Sequence, residues 1–198
     1  TYTNDLPAMV KTLADAAGEV EFHYQTVAFG NYALQDHWDR GDALTAIQQG
    51  GWDFVVMQQG PSSLPESRVN LIQYTRMFAE PIRDARARPA LYMVWPTADR
   101  VAFWDDVTIS YTEVADAVDG MLFPAERPFA KRCATILTSP SHPSSAGTYL
   151  AALVIYAQLT HRSAVGLTLL VPNPPVSAPE ATVLEAAAAA ANGDYGRP

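Results

Sequence analysis

Three short apolar runs, Trp52–Met57 (WDFVVM), Ala90–Trp95 (ALYMVW) and Met121–Phe123, are separated by longer stretches of helical periodicity. No other feature constrains the fold as strongly. Runs of strand length without a polar face suit strands covered on both sides, and a strand–helix–strand rhythm needs crossover connections, which belong to a parallel sheet. Between them, Glu66 to about Ala87 reads as a long helix that Pro81 should kink, and Phe103–Val118 as a helix with Val107, Tyr111, Val114 and Val118 along one stripe. Ahead of them, Asn4 or Asp5 can cap a helix that Gly18 ends, Glu19–Ala28 alternates with period two as a half-exposed strand, and Gly41-Asp42 opens a short helix to Gln49. Helices are also expected from Pro143 to Thr160 and from about Glu180 to Ala191. The order implies a three-layer α/β/α, flavodoxin-like sheet in one domain over residues 1–198, with its working residues on loops 29–38, 58–65, 96–103 and 134–143, after the carboxyl ends of strands.

The charge balance narrows the partners. With 13 Lys+Arg against 21 Asp+Glu the formal net charge is −8, and the basic residues form no cluster. Nucleic acid is therefore not expected, because phosphate-backbone binding rests on basic side chains that release counterions. The longest apolar stretch, Tyr149–Leu159, is about half the roughly 20 residues a membrane span requires and contains Gln158, so it reads as a core helix. Cys133 is the single cysteine, which excludes an internal disulfide and a multi-cysteine zinc site and leaves the compartment open.

The most informative segment for chemistry is Ser139-Pro140-Ser141-His142-Pro143-Ser144-Ser145-Ala146-Gly147. A histidine directly before a proline that starts an apolar helix is set on a loop tip rather than in a core. Its position alone suits an ordinary surface residue better than a base; its company changes that weighting.

Taken with three other blocks, this segment resembles the SGNH or GDSL-like hydrolases, α/β/α esterases whose last block is Asp-x-x-His followed by Pro and Ser. Thr1-Tyr2-Thr3-Asn4-Asp5-Leu6-Pro7 is similar to the stretch after the nucleophile in a branch reading Gly-Asn-Ser-x-Thr-Tyr-x-Asn-x-Leu-Pro. Gly30-Asn31-Tyr32-Ala33-Leu34-Gln35-Asp36-His37-Trp38 is similar to the second block, whose glycine gives an amide to the oxyanion hole. Trp52 to Ser63, with Gln58-Gln59-Gly60-Pro61-Ser62, resembles the third, and His142-Pro143-Ser144 with Gly147–Ala152 the fifth. The resemblance implies acyl transfer: a serine hydroxyl attacks an ester carbonyl, a histidine takes its proton, and amide donors hold the oxyanion. It makes His142 the base and Gly30 a backbone donor, with Gln59 or Ser62 adding a side-chain donor. Without the resemblance, Gly30 would read as a plain strand-end turn and Gln58 and Gln59 as a solvated loop.

Two departures accompany the match. The nucleophilic serine falls two residues ahead of Thr1, together with the family's first strand, and Ser139 stands where the family has aspartate. A hydroxyl can orient the imidazole but carries no charge to stabilise the imidazolium, and neutralising that carboxylate in a protease triad lowers kcat by about 10⁴. The chain as it stands is thus expected to be nearly inert, with the 198 residues lacking a first strand. Asp99, Asp105 and Asp106 are candidates for a displaced third member, and Ser62 or Ser63 for a replacement nucleophile, although neither serine sits in a Gly-x-Ser-x-Gly elbow.

His37 beside Trp38 suits the lining of a substrate cleft or a packed loop, and Trp95 and Trp104 suit a pocket wall or the core. His23 and His161 read as structural, and Asp36, Asp39 and Asp42 as a solvated acidic loop rather than a metal site. The expected function is a carbohydrate O-deacetylase or small-ester esterase without metal or cofactor. The competing expectation is an inactive homologue that binds a glycan or ester. A flavodoxin-like phosphate binder is weaker, since no glycine-rich phosphate loop follows a strand.

Overall fold

The computed structural model describes residues 5–96, 98–125, 143–171 and 174–195. These form an α/β chain with a three-stranded parallel sheet, gathered into two compact units, each built from separated stretches of sequence.

One unit (residues 1–26, 97–101 and 123–198) is helical at its centre. Helix α1, Leu6–Ala17, buries Leu6, Val10, Leu13 and Ala14, the three- and four-residue spacing that gives a helix one apolar stripe. Asp5 precedes it in a left-handed conformation without a side-chain cap, and Gly18 ends it at φ 65°, bonding back to the Ala14 carbonyl. The helix called α6 below, Ser145–Thr160, is apolar all round and buried along nearly its whole length, so it is the core of this unit rather than a surface helix. Ser144 caps it, accepting from the Gly147 N–H at 3.1 Å. It packs against α1 and against the last helix, α7, Ala178–Tyr195. The Gln158 amide donates to Asn192 Oδ1 at 3.0 Å, satisfying polar groups where α6 meets α7. Glu185, 7% exposed, accepts from the N–H groups of Gly166 and Thr168 at 2.7 and 3.0 Å, and so holds the 3-10 turn Leu167–Leu170 by its first amides.

The other unit (residues 27–96 and 102–122) contains the sheet. Helices α2 (Leu34–Arg40) and α3 (Asp42–Gln48) precede β1 (Phe54–Met57), then follow α4 (Pro65–Asp84), β2 (Arg88–Tyr92), α5 (Trp104–Ala117) and β3 (Met121–Phe123), whose first two residues belong to this unit. Strand order is β1-β2-β3, and β1 runs parallel to β2 with Phe54 opposite Arg88 and Met57 opposite Leu91. The intervening α4 makes the pair a βαβ crossover. β2 is central and its residues Pro89–Tyr92 are buried, as a strand covered on both faces should be. β1 is the edge: Val56 is 45% exposed, although the run around it is apolar on both faces.

Several expectations shift. Glu19–Ala28 forms no strand; alternation supplies two faces, but a strand also needs a neighbouring backbone to take its N–H and C=O groups. The expected 29–38 loop contains α2, which shows little apolar stripe because only Leu34 is buried. Pro81 lies in the last turn of α4, and the helix continues through it to Asp84. The second strand begins at Arg88 and leaves the ladder after Tyr92, so Met93, Val94 and Trp95 are buried without belonging to it. Among the described residues no helix is long and apolar enough to cross a membrane.

The turn from α5 into β3 needs glycine for space. A Cβ on Gly120 would lie 3.0 Å from Val118 Cγ2 and 3.2 Å from the Pro89 carbonyl oxygen, a backbone atom that cannot step aside. Gly120→Ala should therefore destabilise the fold by about 1–3 kcal/mol, seen as a lower urea midpoint at unchanged m-value. An unchanged midpoint would show that β2 and β3 separate freely.

Candidate active site

The described part of the site lies on two loops of the sheet-bearing unit. The loop after β1 carries Gln58 to Leu64, and the turn at Gly30 leads into α2.

Gln59 joins them. Its side-chain Oε1 accepts from the Leu34 N–H at 3.0 Å, and its Nε2 donates to Ser62 Oγ at 2.9 Å. Leu34 is the first residue of α2, so its amide is one of those a helix cannot satisfy internally; a glutamine 25 residues away does so. Because a backbone N–H can only donate, the carboxamide oxygen must face Leu34 and the nitrogen must face Ser62. Gln59 is 4% exposed and Ser62 7%, so this is a buried network rather than a solvated loop. The Ser62 hydroxyl donates in turn to the Gly60 carbonyl at 3.1 Å, and Ser62 holds a left-handed φ of 54°. Such a conformation in a residue with a Cβ costs on the order of 1–3 kcal/mol and persists only where bonds hold it.

Those bonds come from α5. The Tyr111 hydroxyl lies 2.8 Å from the Gln59 carbonyl and 3.0 Å from that of Gly60, and Ser110 Oγ lies 2.7 Å from the Ser62 carbonyl. Arg68 Nε on α4 donates to Ser110 Oγ at 2.9 Å. None of Tyr111, Ser110 and Arg68 stood out in the sequence as a site residue. The available signal was a tyrosine on a core-facing stripe, since a buried phenol needs a hydrogen-bond partner.

The Gly30-Asn31 turn is flanked by rings. Phe29 and Tyr32 stand 5.0 Å apart between centroids, and His37 on α2 lies 5.8 Å from the first and 5.3 Å from the second. The Arg40 guanidinium sits 4.3 Å from the Phe29 ring centre and pairs with Asp42 at 2.5 Å. Asn31 takes the left-handed φ of 63°; Gly30 does not, and a Cβ on it would meet nothing within 4 Å. The open side of Gly30 is thus surface over which a ligand can lie. Asp36 accepts from the Ala33 N–H at 2.8 Å, fixing a second amide at the start of α2. Trp38 meets Phe78 edge-on at 5.2 Å, and Trp95 is buried at 1% exposure. His142 and Ser139 lie outside the described residues. Among the described residues no three His, Cys, Asp or Glu side chains are grouped to hold a metal ion.

No family model matches the sequence, and no curated protein does. Among solved structures the chain is similar to a DUF4886 family protein from Bacteroides uniformis ATCC 8492, with TM-score 0.70 and 15% identity over 94% of this chain and 88% of that one. It is also similar to a protein from Slackia heliotrinireducens described as "a putative SGNH hydrolase", with TM-score 0.63 and 28% identity over 77% of this chain and 91% of that one. The first likeness is one of fold alone. The second makes the chain a structural relative of an SGNH-like hydrolase, in agreement with the resemblance of its sequence blocks.

Burial holds the His37 pKa below its ordinary 6.5, against the opposing pull of Asp36. The unfolded chain therefore takes up this proton first as pH falls. The stability His37 contributes is complete above pH 6.5 and is lost as pH drops through the lower folded value. His37→Gln should flatten the fall in urea midpoint between about pH 7 and pH 5.5; equal slopes in the two proteins would mean that His37 protonates as freely folded as unfolded.

Proposed function

We propose that this chain is an SGNH-like ester hydrolase, that residues 1–198 act as one domain, and that its substrate is a small ester or an acetylated carbohydrate. The observation that carries the reading is the 28% identity, over most of both chains, with a protein described as an SGNH hydrolase. In this reading a serine hydroxyl attacks the ester carbonyl while His142 removes its proton and later returns it to the leaving alcohol. Ser139 accepts a hydrogen bond from the imidazole and sets its orientation. The Gly30 N–H and the Gln59 carboxamide nitrogen receive the developing oxyanion, with Ser62 fixing the direction of Gln59. In this reading His37, Trp38 and Trp95 are the residues that border the substrate, with Trp95 the buried one of the three. No metal or cofactor takes part, and a net charge of −8 disfavours a nucleic-acid partner.

Ring faces beside Gly30 also favour a second reading, in which a homologue without turnover retains the cleft as a glycan- or ester-binding site. Phe29 remains 38% exposed while touching Tyr32 and His37, a surface suited to sugar C–H groups.

The two readings separate in p-nitrophenyl acetate hydrolysis by the full polypeptide as its gene encodes it. Turnover above buffer that falls at least a hundredfold in His142→Ala is expected of the hydrolase, from the usual contribution of a general base of about 10²–10⁴. Turnover no faster than buffer, or a rate indifferent to His142, overturns it. Ser139→Asp should raise kcat by up to about 10⁴ through the restored charge behind the imidazole; a flat response would show that another carboxylate already serves.

A further inference from the structure

We infer that Tyr111 on α5 is a positioning residue for the oxyanion side of this site, an inference that rests on the hydrolase reading for its catalytic meaning. Tyr111 is fully buried, and its hydroxyl reaches the carbonyls of Gln59 and Gly60 at 2.8 and 3.0 Å. The preceding residue, Ser110, reaches the Ser62 carbonyl at 2.7 Å. Helix α5 thereby reaches three of the four carbonyls from Gln59 to Ser62, the stretch that contains the left-handed Ser62, with the Ser110 proton shared between Ser62 and the Asp106 carbonyl at 2.8 Å. A hydroxyl with one proton serves two adjacent carbonyls, so losing it loosens both at once.

The grip is transmitted by the Gln59 side chain. Its backbone is held from α5, its Oε1 holds the Leu34 N–H, and its Nε2 holds Ser62. Leu34 lies four residues beyond Gly30, so the Gly30 turn enters α2 through an amide whose partner is itself fixed by Tyr111. The Gln59 carboxamide nitrogen carries two hydrogens and the bond to Ser62 uses one; in the hydrolase reading the other is the donor to the substrate oxygen. Tyr111 touches no substrate in this arrangement. It sets the direction of the group that would.

Tyr111→Phe tests this, because it keeps the ring and its packing and removes only the hydroxyl. Amide hydrogen exchange at Leu34 should speed roughly tenfold, the factor that corresponds to one hydrogen bond, while the β2 amides at Ala90 and Leu91 keep their rates. Gln59→Glu, which retains an acceptor, should leave Leu34 protected; Gln59→Met should not. In ester turnover Tyr111→Phe should lower kcat about tenfold with KM within about twofold, as for a loss confined to the transition state. An unchanged Leu34 rate, a matching rise at Ala90 and Leu91, or an effect on KM alone overturns the inference. Absence of turnover in the unaltered protein overturns the hydrolase reading instead, and the exchange rates then decide the positioning of Gln59 by themselves.

Discussion

The hydrogen bond from the Leu34 N–H to the Gln59 side chain is the contact on which the described site depends. It joins the start of a helix to the loop after an edge strand, two segments that share no regular secondary structure. Both partners are almost free of water, so breaking the bond would leave a buried donor and a buried acceptor unpaired, at about 1–3 kcal/mol for each group. That penalty, rather than the modest net gain of forming the bond, is what makes the junction specific. A second set of bonds keeps Ser62 in a left-handed conformation that its Cβ disfavours. Three carbonyls of the loop are anchored from α5, and relaxing Ser62 would require releasing them.

Much of the sheet was legible in the sequence, for a physical reason. Val55, Val56, Ala90 and Leu91 lie in runs without a polar face, and such runs are stable only inside a layered α/β arrangement. The segment Glu19–Ala28 was misread because its alternation is a statement about side chains, whereas a ladder is made by backbones. Val20 and Tyr24 remain 37% and 41% exposed, and the segment forms no ladder. Helix α2 was hidden for the opposite reason. Its residues LQDHWDR show almost no apolar stripe, and its start is secured by Asp36 and Gln59 taking the amides of Ala33 and Leu34. One of those bonds is local and readable; the other spans 25 residues and is not.

The site divides along the same line. Gly30, Gln59 and Ser62 stand out by their place on loops and by resemblance, and the structure adds a hydrogen bond between Gln59 and Ser62. The residues that hold them, Tyr111, Ser110 and Arg68, lie on helices among positions that read as core or solvent face. Periodicity assigns Tyr111 to the packed stripe, correctly, and is silent about its hydroxyl. A buried tyrosine differs from a buried phenylalanine only by a group that must find an acceptor, so the information lies in the choice between two residues of nearly equal shape.

Glu185 shows the same economy in the helical unit, where a buried carboxylate takes the Gly166 and Thr168 amides at the head of a 3-10 turn. In both units a buried side chain distant in sequence supplies the partner that local backbone geometry cannot, Glu185 from a helix to a 3-10 turn and Gln59 from a loop to the start of α2. The two fasteners differ in what they leave over. The Glu185 carboxylate only accepts, and both of its bonds to backbone amides use that capacity on the turn itself. Gln59 is an acceptor at one end and a donor at the other, so fixing its oxygen against Leu34 necessarily aims its nitrogen elsewhere. A carboxylate at position 59 could accept from Leu34 but would have no hydrogen to give Ser62. The amide performs the same structural task and also gives Ser62 a donor, which a carboxylate could not.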